Sequence, residues 1–126
     1  MLRTFVLIFV MHFVAGYFLQ TKSISKLKRE KKRYLFLHVG FYTLFFIVFS
    51  PVLLGLTILQ GLEFSLINGV LHLIVDYTTG KFKIKYIEKD SFKYKATVGI
   101  DYALHLSMLM ITYMYLHHNS IMFLSK

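Results

Sequence analysis

The chain has 126 residues, enough for one compact domain. It is 56% hydrophobic and 17% aromatic, and its long apolar runs point to a membrane protein rather than a soluble one. A net charge of +9 would suggest nucleic acid in a soluble protein, but here most of that charge sits between the apolar runs; the absence of cysteine excludes disulfides and a thiolate zinc site.

In chain order, the first apolar segment covers about 4–19. Met1-Leu2-Arg3 before it resembles the start of a secretory signal. Val14-Ala15-Gly16 fits the cleavage rule poorly, so the segment reads as a membrane helix. The second covers 34–54, with Pro51 expected to end or kink it. The third covers 62–77 and the fourth 96–116. The first and third are short against the roughly 20 residues of a straight span, so local thinning or snorkelling is expected. The expected fold is all-α: a single four-helix transmembrane bundle over 1–126.

Thirteen of the 15 basic residues fall in two connections, Lys22 to Arg33 and Lys81 to Lys95. The connection from Gly55 to Gly61 has none. Short basic loops stay in the cytoplasm, so both termini are expected outside and the two basic loops inside. The loops then need no role beyond topology, with anionic lipid contact as a by-product and no specific nucleic acid. Thr79-Gly80-Lys81 lacks the upstream glycine of a phosphate loop. The alternation over Lys81-Phe82-Lys83-Ile84-Lys85-Tyr86 fits a short strand or an interfacial stretch.

Each apolar segment carries one histidine: His12, His38, His72 and His105. Two have an aspartate one helical turn away, His72 with Asp76 and Asp101 with His105. Ionisable groups are expensive inside a bilayer and mark functional sites by default. Counted from the loop ends at about 1.5 Å per residue, His38, His72 and Asp101 are expected roughly 6–8 Å below the inner boundary. His12 and His105 come out at about 12–14 Å, and Asp76 almost at the boundary. The i, i+4 stripes His12/Gly16/Gln20, Tyr34/His38/Tyr42, Ser65/Asn68/His72/Asp76 and Thr97/Asp101/His105 are expected to face the bundle interior. His117-His118 reads as an interfacial pair outside this cluster.

Three roles fit the cluster. His12, His38, His72, Asp76, Asp101 and His105 are suitable ligands for a divalent metal, zinc above all. A metal would offset the burial of two carboxylates and would support hydrolysis of a membrane-associated phosphoester or acyl group, with Asp76 or Asp101 as the catalytic base. Alternatively, the cluster is a hydrogen-bonded network fixing helix register in a non-catalytic interaction protein. A proton or ion path is the third role, but the outer half offers few polar groups to continue it.

His12 with Phe18-Leu19-Gln20, His38, His72-Leu73-Ile74-Val75-Asp76-Tyr77 and Asp101-Tyr102-Ala103-Leu104-His105 together resemble DUF3307, a family of small multi-pass inner-membrane proteins from bacteria and phages. The resemblance covers nearly the whole chain. It implies a bacterial inner (cytoplasmic) membrane location, the bundle fold and the polar site, and no settled activity. Two positions depart from the family pattern: Gly16 stands where the family has an aspartate, and Tyr102 where it has a glutamine. The pattern is taken as a cytoplasm-facing His/Asp site that binds metal and serves a metal-dependent hydrolase. The alternative is a phage- or host-defence-related interaction protein. Its partners are the bilayer, anionic lipids, and a second copy or another membrane protein.

Overall fold

The computed structural model describes residues 1–18, 21, 24, 27–86 and 91–124, with side chains at all of these except 18, 83–86 and 119–124. Leu19, Gln20, Lys22, Lys26, Glu88, Lys89, Asp90 and Lys126 lie outside the described residues. All regular structure among the described residues is helical. Helix α1 is Leu2–Phe13 and continues as a π-helical turn, Val14–Phe18. Helix α2 is Lys32–Leu54, α3 is Ile58–Tyr86 and α4 is Phe92–Leu124.

The helix ends have local causes. Helix α2 passes through Pro51 and stops at Gly55, which takes the left-handed conformation at φ 67° and ψ 31°. Pro51 lacks the N–H that would donate to the Ile47 carbonyl, and glycine adopts the φ at position 55 without a Cβ penalty. Pro51 lies inside the helix rather than ending it, and the helix stops at Leu54, where the apolar segment was expected to stop. Thr57 and Gln60 then form a reciprocal cap for α3: the Gln60 amide donates to Thr57 Oγ1 at 3.2 Å, and the Thr57 amide to Gln60 Oε1 at 3.0 Å. Ser91 Oγ caps α4 by accepting from the Tyr94 amide at 3.2 Å.

Helices α3 and α4, at 29 and 33 residues, outrun their apolar segments. Hydropathy marks only the greasy middle of a helix. Beyond it, the Thr78 and Thr79 hydroxyls bond back to the carbonyls of Ile74 and Val75, and the helix runs on through Gly80 to Tyr86. Residues 81–86 are thus the last turns of α3, not a strand, because a formed helix extends more cheaply than a new element nucleates.

Helix α2 packs along α3 and α3 along α4, while α1 touches both α2 and α4 and closes the ring. Gln60 Nε2 donates to the Leu116 carbonyl at one end of the α3–α4 pair, and Thr79 meets Asp101 at the other, so the two helices are antiparallel. Two glycines set the α2–α3 approach. A Cβ on Gly69 would overlap the Thr43 hydroxyl, and one on Gly61 would run into the Pro51 ring.

Ile8, Met11, Tyr42, Phe46, Phe64 and Leu109 form the apolar core. Buried beside it are His12, His38, Ser50, Ser65, Asn68, His72, His105 and Thr112. The outer surface carries Phe41, Leu44, Val48, Val52, Ile58, Leu66, Val70, Ile74 and Ile111. Much of the polarity is inside and much of the grease outside. Among the described residues, two helices, Lys32–Leu54 and Ile58–Phe82, are long and apolar enough to cross a membrane.

Candidate metal centre

Each of the helices α1 to α4 contributes to one polar cluster. His38 and Tyr42 lie one turn apart on the inner face of α2, as do His72 and Asp76 on α3 and Asp101 and His105 on α4. His12 comes from the end of α1, just before the π-helical turn, and π-turns recur at functional sites. Lys28 and Arg29 arrive from a turn held by the Lys28 amide on the Ile24 carbonyl at 2.9 Å and the Lys31 amide on the Leu27 carbonyl at 2.8 Å.

The Asp76 carboxylate is the centre of the arrangement, with its side chain only 8% exposed. Its Oδ2 lies 3.4 Å from His38 Nε2 and 3.6 Å from His72 Nε2, and those two nitrogens are 3.0 Å apart. Its Oδ1 lies 3.7 Å from His105 Nε2. Two sets of groups can each hold a cation: His38, His72 and Asp76, and Asp76, Asp101 and His105. Asp76 belongs to both.

The first set matches tetrahedral coordination. An ion bonded at about 2.0–2.1 Å in a tetrahedron holds its ligand atoms about 3.3–3.4 Å apart. The three separations in the His38–His72–Asp76 set, 3.0, 3.4 and 3.6 Å, bracket that value. The Lys28 ammonium reaches two of the same three ligand atoms, donating to Asp76 Oδ2 at 2.9 Å and to His38 Nε2 at 3.1 Å. With His38 Nε2 accepting from Lys28, His72 Nε2 is the nitrogen that carries the proton between the two rings. The positive charge that a buried carboxylate needs is therefore supplied by a lysine from the loop.

His105 is fixed by its own helix. Its Nδ1 donates to the Asp101 carbonyl at 2.7 Å, which leaves Nε2 as the lone-pair nitrogen. Among the described residues, that Nε2 is buried with no hydrogen-bond partner, as is His72 Nδ1. The Asp101 carboxylate lies 2.7 Å from the Thr79 hydroxyl. His12 sits outside both cation-binding sets. Its Nδ1 is 3.1 Å from the Tyr42 hydroxyl and its ring stacks on His105 at 5.2 Å. The Tyr42 ring stacks in turn on His72 at 4.0 Å.

Asp76 and His105, expected at different depths, thus lie closer together than residue counting implied. Helical side chains lean toward their own N-terminus. On antiparallel helices Asp76 and His105 therefore lean toward each other, which closes a gap that counting along the axis leaves open. Asp101 meets Thr79 rather than the level of His72. The reason is that both helices extend past their apolar segments.

A cavity of about 350 Å³ opens beside the cluster, lined by His12, Gly16, Tyr17, Lys28, Arg29, Tyr94, Tyr102 and the residues of both sets. Arg29 Nη1 donates to the Tyr94 hydroxyl at 2.9 Å and braces one wall. Sequence reasoning did not assign Lys28, Arg29, Thr79 or Tyr94 to the site. Tyr42 was on the His38 stripe, but nothing in its spacing disclosed its contact with His12. Gly16 lines the cavity, and a Cβ added there meets nothing within 4 Å. Gly16→Asp is therefore expected to fold normally and to raise zinc affinity about tenfold by adding a carboxylate to the cavity, at the low end of what a supporting group is worth. Calorimetric zinc titration checks this, and unchanged affinity would refute it.

Among the described residues the protein is all-helical, with four principal helices and a buried His/Asp cluster that could hold a metal ion. The chain belongs to the family described as Protein of unknown function (DUF3307), whose model matches residues 4–126. No curated protein and no solved structure matches it.

Proposed function

We propose that the protein is a membrane-embedded metal protein whose His38–His72–Asp76 centre binds a divalent ion, zinc by preference, and opens toward the cytoplasm. The observation that carries the metal reading is the spacing of those three ligand atoms, 3.0 to 3.6 Å around one point. Zinc in such a site supplies Lewis acidity and activates water. The finer proposal is hydrolysis of a phosphoester or acyl bond in a membrane-associated substrate that reaches the cavity from the inner leaflet.

The membrane reading is supported by the inverted polarity of the bundle. Soluble monomers rarely expose apolar surface on this scale, and buried polar groups facing a bundle interior are what lipid-embedded helices favour. We place both termini outside and the two basic loops in the cytoplasm, where they meet anionic lipid. The chain has no cysteine, so introduced thiols report topology cleanly. Thr57 and Lys31 are both exposed. Thr57→Cys is expected to react with an impermeant maleimide on intact cells, and Lys31→Cys only after permeabilisation. The reverse pattern would invert the orientation.

One observation favours a non-catalytic network instead: Lys28 already neutralises Asp76. The two readings separate at that lysine. If the site takes metal, Lys28→Met removes a competing cation and raises zinc affinity about 10- to 100-fold, the equivalent of about 1.5–3 kcal/mol for one charged hydrogen bond. If the cluster is only structural, the same variant loses stability and gains no zinc. Zinc titration and thermal unfolding of purified wild type and variant decide between them.

A further inference from the structure

We propose that the centre holds two metal ions, with Asp76 as the carboxylate that bridges them. The first ion takes His38, His72 and Asp76 Oδ2. The second takes His105 and Asp101 with Asp76 Oδ1. This rests on the metal reading above and deepens it.

Three observations carry the second position. The two oxygens of Asp76 face different partners: Oδ2 toward His38 and His72 at 3.4 and 3.6 Å, Oδ1 toward His105 at 3.7 Å. Ligand atoms of Asp76, Asp101 and His105 lie within 4.8 Å of one another. His105 is 5% exposed, and its Nε2 is buried without a hydrogen-bond partner among the described residues. A buried polar atom left so is costly, and a metal would satisfy it. The Nδ1 proton on the Asp101 carbonyl fixes the tautomer that leaves Nε2 free to coordinate, as outer partners of metal-bound histidines do. A carboxylate with one oxygen toward each set is what a bridging ligand needs in two-metal hydrolytic centres, whose ions stand roughly 3.5–4 Å apart.

The full chain in detergent is stripped with chelator, reloaded with cobalt(II) alone, and analysed for cobalt content and electron paramagnetic resonance. Two equivalents with a spin-coupled, attenuated signal are expected. Asp101→Asn should drop the content to one equivalent and restore the uncoupled signal, while His38→Ala leaves one equivalent at the other position. Circular dichroism and size-exclusion profiles confirm that each variant is folded. The wild-type spectrum tests coupling without any variant. One equivalent in the wild type, or two uncoupled ions, would overturn the two-ion centre and leave the single-ion reading standing. No bound cobalt would overturn both.

Discussion

Asp76→Ala is expected to abolish high-affinity metal binding and to destabilise the protein at the same time. Asp76 is the one carboxylate shared by both cation-binding sets, so its loss removes a ligand from each. Zinc affinity should fall by more than about 100-fold, beyond what losing a group that merely supports a ligand costs. The stability effect has a separate source. The Lys28 side chain is 17% exposed, and its ammonium donates to Asp76 at 2.9 Å. Stranding one partner of a buried pair costs about 3–5 kcal/mol, and the partial exposure of Lys28 places the expected loss near the low end, about 3 kcal/mol. Adding Lys28→Met to Asp76→Ala should recover most of the stability and none of the metal binding. Zinc titration with thermal unfolding reads both effects. A single variant that binds zinc within tenfold of wild type would remove Asp76 from the centre.

Gly69→Leu is the second large effect, and it acts from outside the site. Gly69 lets α3 approach α2 at Thr43, and Gly61 does the same at Pro51. His38 and His72 come from these same two helices, and their nitrogens stand 3.0 Å apart. A leucine at the crossing cannot be absorbed without separating the helices. Overpacking of this kind costs about 1–3 kcal/mol or more. Metal sites tolerate displacements of only about 0.5 Å, so zinc affinity should fall at least about tenfold although no ligand is touched. Gly69→Ala should show the same effect in milder form. Adding Thr43→Ala removes the hydroxyl and methyl that a new Cβ meets, leaving the Thr43 Cβ at 3.3 Å, and should reverse it. If Gly69→Leu left zinc affinity unchanged, the α2–α3 approach would not set the ligand spacing.

How much of this was legible in the sequence depends on which physical signal each feature leaves. Four apolar segments, separated by two basic connections and one uncharged connection between Gly55 and Gly61, announce four helices, and those helices are present. The i, i+4 spacing of His72 with Asp76 and of Asp101 with His105 discloses shared faces, because helical periodicity is a property of the chain itself. The helix ends were less legible: hydropathy stops at Tyr77, whereas the helix runs on through Thr78 and Thr79 to Tyr86. That error carried into the depths, and it is why Asp101 was matched with His72 rather than with Thr79. Lys28 was not legible at all. It is one of seven basic residues between Lys22 and Arg33, and nothing in the pattern marks which one turns inward. His12 was grouped with the other histidines by type and stripe. In the fold it packs on His105 and Tyr42 beside the two sets.

Metal binding at the Asp76-centred cluster is directly measurable. Elemental analysis of the full chain, purified in detergent without chelator and without metal affinity resin, tests it most directly. At least one equivalent of zinc or another transition metal per chain is expected, lost on Asp76→Ala. Less than a tenth of an equivalent of any transition metal would contradict the account.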